Sequence, residues 1–523
     1  MTSIQSSDQG QAPLQKLRAY LHSTQLLGSI QSALYYDQNT AMPAAGSEWR
    51  GEQLALLAQQ LHGRQSSGAY ADLLAAAEAQ WEGAPGPMGR NLQLLRQEFE
   101  RQHRLDAALV GHIAQAQAQG YARWQEAKAK GDFSVFAPSL QVLVGLRQEQ
   151  ARQLAEPRSC WETLAQPFEP DISKARLDVL FAPLRQELPA LIERARSAAS
   201  RQPSTAWDLP ESSQLKLCQE LLNGWGFDPN RCQTARSPHP FSCTLGPADF
   251  RITTRVVAGQ PLSALLATAH EWGHSLYEQG LPRSGDHYFP WPLGDATSMG
   301  VHESQSLFWE CRVGRSQAFA QGLEPSIAAA WSLANPGGGA NPGSPSPWGN
   351  SQGFWRCLNP LEPGMIRVEA DEISYCLHIV LRYELELALL EGDLPVAELP
   401  GHWNQRMAEL LDLRPSHDSE GCLQDVHWSE GLFGYFPSYA LGHLISAQLG
   451  EAMERDLGGA GSIEARVAKG DGASLKQWLA EHVYPLGRQV NGEELVKQVS
   501  GQDLRAEPFL AYLRAKLERL VAP

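Results

Sequence analysis

His270, Glu271 and His274 lie in the segment from Thr268 to Tyr277 with the spacing H-E-x-x-H. On a helix, four residues return nearly one full turn, so both imidazoles project from one face and can grip a single ion. Glu271 then flanks that face. A carboxylate beside an open metal position can take a proton from a water whose pKa the ion lowers toward about 7. The chemistry this trio can perform is hydrolysis at neutral pH, with zinc as the natural ion. Two histidines can share a helix without any metal, but Leu262, Leu265, Leu266, Ala269, Gly273 and Leu276 recur at helical spacing from Pro261 onward. The motif is therefore expected on a helix with one buried face.

A catalytic ion needs a third protein ligand and one position left open. Glu303 is the leading acidic candidate downstream, at the start of an apolar periodic helix that includes Leu307, Phe308 and Val313. A carboxylate at a helix start is also favoured by the helix dipole, so the residue alone leaves both readings open.

Further ordered motifs follow the same theme: His239-Pro240-Phe241, Asp249 to Thr253 around Arg251, His302 to Gln305, Ile366 to Asp371 around Arg367, and Gly421 to Trp428 with Gln424, Asp425 and His427. Together with the paired histidines, these six motifs resemble the carboxypeptidase Taq family of metallocarboxypeptidases across nearly the whole chain. The segment Tyr36 to Pro43 also resembles that family, with Tyr36 in place of the usual tryptophan. The resemblance implies a broad-specificity carboxypeptidase that releases single C-terminal residues from peptides, with zinc or cobalt supporting activity and usually a homodimer. It implies a mainly helical, two-lobed fold with a deep central cleft, like neurolysin and angiotensin-converting enzyme. By the motif match, His270, His274 and Glu303 are the metal ligands and Glu271 the general base.

The remaining chemistry can be read from residue types. An exopeptidase must recognise a free α-carboxylate, and a guanidinium fork suits that task. Arg367 is the favoured anchor with Arg251 in support. The alternatives are internal pairs, of Arg367 with Glu369 or Asp371 and of Arg251 with Asp249. Donors near the metal should stabilise the carbonyl oxygen as it gains charge; His427 and Tyr435 are the candidates, with a scaffold role open for Tyr435. Asp425 could orient a histidine, and Trp428 reads as core packing. His239 is a substrate-side candidate or a turn residue, Asp249 and Thr253 brace Arg251 and its ribbon, and Glu278 is either a partner for an imidazole or a solvated helix charge.

The positioning elements are mostly helices. Three-four spacing of apolar residues predicts them over 15–36, 49–62, 89–129, 136–154, 172–199, 365–391 and 433–449, with a short C-terminal pair. Strand-like alternation is confined to Ser242 to Val257, so the expected class is mainly α with a small β ribbon beside the metal helix. Two helical lobes, roughly the N- and C-terminal halves of one catalytic domain spanning 1–523, are expected to face a cleft. Residues 335–350, rich in Gly, Pro and Ser, are expected to form a flexible insertion; Trp348 and Phe354 leave open a lid role.

Composition narrows the partners. The chain of 523 residues carries a formal net charge of −15 and no Lys/Arg-rich run, which argues against nucleic acid. No stretch approaches ~20 apolar residues and Met1 to Pro13 lacks the pattern of a secretory signal, so a cytoplasmic protein without a membrane partner is expected. Eight cysteines without C-x-x-C spacing read as reduced thiols, with Cys311 and Cys376 on apolar helix faces. Two rival functions remain at this stage. One is an endo-acting oligopeptidase on the same scaffold; the other is a peptide-binding protein with a structural metal.

Overall fold

The computed structural model describes residues 8–81, 86–200, 202–284, 288–335 and 346–522. It is mainly helical with one three-stranded sheet. The predicted helices over 15–36, 49–62, 136–154 and 172–199 lie within or almost within Asp8–Thr40, Ser47–Gln65, Ala137–Leu154 and Lys174–Ala199. The stretch over 89–129 is two helices, Pro87–His103 and Ala107–Lys130, because Asp106 adopts an extended conformation at φ −64°, ψ 132° and interrupts the hydrogen-bond ladder.

Two compact units are drawn from interleaved segments and not from successive halves of the chain. The first comprises 1–103, 206–297 and 469–490. Among its helices, Leu17, Leu21, Tyr70, Leu74, Leu92, Leu95 and Phe99 form a common core with Trp291. This unit also holds the sheet, whose strands are β1 (Cys232–Arg236), β2 (Ser242–Gly246) and β3 (Asp249–Thr254). The order is β1-β3-β2, with β3 parallel to β1 and antiparallel to β2. The expected ribbon over 242–257 is thus the β2–β3 pair, and β1 is an addition whose short polar sequence gave no strand signal.

Helix Pro261–Gly280 starts with proline, which fits a first turn because its missing N–H has no partner there anyway. Leu262, Leu265, Ala269, Trp272 and Leu276 are buried along one stripe. The helix is tied to β3 through threonine hydroxyls: Thr254 donates to the Ala264 carbonyl at 2.9 Å and Thr268 to Thr254 at 3.1 Å.

The second unit comprises 104–205, 298–468 and 491–523. Its helix Met299–Leu307 is capped by Ser298, whose hydroxyl accepts from the Val301 N–H at 3.1 Å, and continues into a wider π-type turn at Phe308–Gly314. The expected helix over 365–391 begins only at Tyr375, after a short turn at Arg367–Glu369. The reason is local. The Asp371 carboxylate accepts from the N–H groups of Ile373 and Ser374 at 2.9 and 2.7 Å, which fixes a turn where the helix would otherwise extend backward. Likewise the helix expected from 433 is Pro437–Asp456, because Gly434 sits at φ +83° and breaks the run.

Residues 336–345 of the expected insertion lie outside the described residues. Trp348 is buried, its indole donates to Glu324 at 3.1 Å, and its ring meets Phe354, itself fully buried. These two aromatics are core residues, so they do not supply an exposed lid edge.

Candidate active site

Helix Pro261–Gly280 holds His270 and His274 on one face with ring centroids 4.9 Å apart. Both rings are half-buried, and Glu271, between them in sequence, is 7% exposed. One ligand atom from each of His270, His274 and Glu303 lies within 4.8 Å of the others. Two imidazole nitrogens and one carboxylate oxygen so converged are a donor set that fits a borderline divalent ion such as zinc. Glu278 forms an ion pair with Arg283.

Glu303 projects from a helix packed tightly on Pro437–Asp456. The Ser306 hydroxyl donates to the Glu303 carbonyl at 2.7 Å. Three phenols feel the Glu303 charge: Tyr375, Tyr435 and Tyr439. Burial, with that charge added, pushes the Tyr435 hydroxyl up to about 12, so it is a proton-bearing donor at neutral pH. His427 is in the same cluster, its ring 5.4 Å from that of Tyr435 and 4.4 Å from that of Phe436. Its Nε2 lies 3.2 Å from the Tyr439 hydroxyl, and its buried Nδ1 meets no hydrogen-bond partner among the described residues. Burial depresses its pKa to about 4, so the imidazole is neutral near pH 7.

Arg367 is 5% exposed, and its fork is engaged. Nε and Nη2 donate to Asp425 Oδ1 at 2.9 and 2.7 Å, and Nη1 donates to the Tyr375 hydroxyl at 2.8 Å. Two of the five N–H groups of a guanidinium carry none of these bonds. The internal partner is therefore Asp425, and neither Glu369 nor Asp371. Asp425 also accepts from Arg382 Nε through Oδ2 at 2.7 Å. Burial alone would raise its carboxyl, but Arg382 and Arg367 together hold it well below the usual carboxylate range. With both oxygens committed to arginines, Asp425 does not act as the orienter of a histidine.

Arg251 makes a two-point pair with Asp249, at 2.8 Å for each bond, and lies over the Tyr36 ring at 4.9 Å. Thr253 accepts from the Phe241 N–H at 2.9 Å and shares a 2.6 Å hydrogen bond with Ser237. The motif segments around Tyr36, Phe241 and Arg251 thus form one braced patch. His239 is an exposed turn residue whose carbonyl accepts from the Ser237 hydroxyl. The cysteines are free, and burial raises the Cys160, Cys218 and Cys243 thiols to about 11, far from a reactive thiolate.

Sequence reasoning passed over Tyr375, Arg382 and Tyr439. A signal existed for the first two: Tyr375, His378, Arg382 and Glu386 are polar residues at helical spacing inside an otherwise apolar, buried helix. Tyr439 lies in the first turn of helix Pro437–Asp456, its ring 5.4 Å from that of Tyr435.

A family description, carboxypeptidase Taq (M32) metallopeptidase, matches residues 16–517. The thermostable carboxypeptidase 1 of Thermus thermophilus is 35% identical over 98% of this chain and 99% of its own. Carboxypeptidase 1 of Bacillus subtilis is 32% identical over 93% of this chain and 94% of its own. Among solved structures, the M32 carboxypeptidase from Deinococcus radiodurans R1 superposes with a TM-score of 0.90 at 33% identity, covering 98% of this chain and 99% of that one.

Proposed function

The chain belongs to the carboxypeptidase Taq (M32) metallopeptidase family and is a metal-dependent carboxypeptidase, and from that premise we propose that His270, His274 and Glu303 hold one divalent ion while Glu271 acts as general base. The observation that carries this assignment is the convergence of three ligand atoms within 4.8 Å. An ion held there, zinc by our assignment with cobalt as the alternative, supplies a Lewis acid for the scissile carbonyl and for water.

Glu271 takes the proton of the attacking water and returns it to the leaving amine. His427 and Tyr435 donate hydrogen bonds to the carbonyl oxygen as it gains charge; support comes from the raised phenol and the neutral imidazole with its unpartnered nitrogen. Arg367 anchors the α-carboxylate of the peptide through the N–H groups that Asp425 and Tyr375 leave over. Arg251 supports it by charge, and His239 lines the substrate side. Pre-anchoring by Asp425 and Tyr375 keeps the Arg367 fork from paying rotamer entropy when peptide arrives.

The whole chain, 1–523, works in this proposal as one catalytic domain of broad specificity, as a cytoplasmic homodimer acting on peptides. No helix among the described residues is long and apolar enough to cross a membrane.

The test is a time course of products from a set of peptides with free and amidated C-termini, before and after chelation and metal add-back. Release of single amino acids, blocked by amidation and restored by metal, supports the proposal. Internal fragments, or release that survives chelation, would contradict it.

A further inference from the structure

Glu386 lies on helix Tyr375–Glu391 with a fully buried side chain. Its carboxylate accepts three hydrogen bonds: from the Trp428 indole to Oε1 at 2.9 Å, and from the Gly434 N–H and the Trp161 indole to Oε2 at 2.9 and 3.1 Å. Two of these donors have a particular place in the chain. Trp428 directly follows His427, and Gly434 directly precedes Tyr435. The backbone between them turns sharply, with Gly431 at φ +64° and Gly434 at φ +83°. A side chain at position 434 would meet the Ala165 backbone at 2.7 Å, so this turn is pressed against Cys160–Ala165, the helix that supplies Trp161.

We infer that Glu386 is a positioning residue for the hydrolysis: its carboxylate clamps both ends of the segment that presents His427 and Tyr435, fixing the distance and orientation of the two proposed donors. The inference rests on the proposed roles of His427 and Tyr435.

The chemistry of the acceptor explains why a carboxylate stands there. All three facing groups are N–H donors, and only an acceptor-only side chain with two oxygens satisfies them together. An amide would turn one end into a donor facing a donor. Burial raises the Glu386 carboxyl to about 7, a cost that its three donors and the nearby Arg382 guanidinium reduce. The same helix face continues the task. Arg382, one turn earlier, holds Asp425 and Gln424 at the start of the same segment. A single stripe of polar side chains therefore fastens residues 424 to 434 to one helix. Preorganised donors keep their catalytic value only when held within a fraction of an ångström, which requires such support.

The experiment uses the full-length, metal-loaded protein and an N-blocked dipeptide, measuring kcat, KM, metal content and thermal midpoint for Glu386→Gln, Trp428→Phe and Trp161→Phe. Glu386→Gln should lower kcat by about tenfold or more with KM changed by less than about threefold, at unchanged metal content. Trp428→Phe, which removes only the bond beside His427, should fall in the same direction, and it provides the reading if Glu386→Gln does not fold. Trp161→Phe deletes a bond to the same carboxylate away from both donors and should leave kcat within about threefold while lowering the thermal midpoint. Wild-type kcat in both Glu386→Gln and Trp428→Phe, or losses in all three variants that merely track stability, would overturn the inference. His427→Gln and Tyr435→Phe run in parallel. If these two keep wild-type kcat, the roles of the donors fall and the clamp falls with them; if they lose it while Glu386→Gln and Trp428→Phe do not, the clamp alone is wrong.

Discussion

Gly442 lies against the stem of Glu303: a Cβ at position 442 would stand 2.6 Å from Glu303 Cγ and 2.8 Å from its Cβ. Helices Met299–Leu307 and Pro437–Asp456 therefore approach closely where the proposed carboxylate ligand emerges. The crowded atoms are near the backbone and cannot swing away as a flexible tip would. Gly442→Ala should displace Glu303 and weaken metal binding by about 10–100-fold, the range seen when the support of a ligand is disturbed. Competition with a chromophoric chelator measures this directly. Affinity equal to wild type would show that Glu303 does not hold the ion.

Glu271→Gln should separate binding from chemistry. The amide has nearly the shape of the carboxylate but cannot accept the proton of water, so kcat should fall by about 10²–10⁴-fold while metal stoichiometry stays the same. Steady-state kinetics and metal analysis on one preparation give both numbers. His270→Ala should instead lose metal and turnover together.

Asp425→Asn tests the buried arginine pairing. The carboxylate bridges Arg367 and Arg382, whose side chains are 6% and 0% exposed. Removing its charge leaves two guanidiniums buried against each other, and breaking a buried pair in this way costs about 3–5 kcal/mol. Denaturant unfolding should show that loss, and KM should rise because the Arg367 fork is released from its pose. A variant as stable as wild type would mean that the bridge carries little of the fold.

A pH experiment probes His378, fully buried with Nε2 3.1 Å from the Gly364 carbonyl and its pKa lowered to about 3, chiefly by burial. In the unfolded chain a histidine titrates near 6.5, so below that pH the unfolded state binds a proton that the folded state refuses. Stability from this group is fully present above about 6.5 and declines as pH falls toward its folded value. The deficit in thermal midpoint of His378→Gln relative to wild type should therefore narrow between pH 7 and pH 4.5. A constant deficit would show that the ring is not held neutral.

The histidine helix was legible because its signals are local: proline at the first position, an apolar stripe and two imidazoles one turn apart all fall within the stretch Pro261 to Gly280. Glu303 needed the motif resemblance, because its own surroundings suit a helix-dipole charge equally well. The partner of Arg367 was out of reach. Asp425 is 58 positions away, and nearest-neighbour reasoning pointed to Glu369 and Asp371 instead. The start of the helix at Tyr375 was hidden by the side chain of Asp371, which caps a turn inside an apolar run that otherwise reads as continuous helix. The clamp at Glu386 depends on a loop folding back so that Trp428 and Gly434 meet one carboxylate. No periodicity encodes that arrangement, although the polar stripe on the helix marks where to look.

The most direct measurement of the metal assignment is anomalous diffraction from crystals of the zinc-loaded protein, collected on both sides of the absorption edge. Binding as proposed places one peak about 2.0–2.2 Å from a nitrogen of His270, a nitrogen of His274 and an oxygen of Glu303, with a fourth position not taken by any protein atom. A peak that leaves Glu303 out, or a fourth protein ligand closing the site, would contradict it.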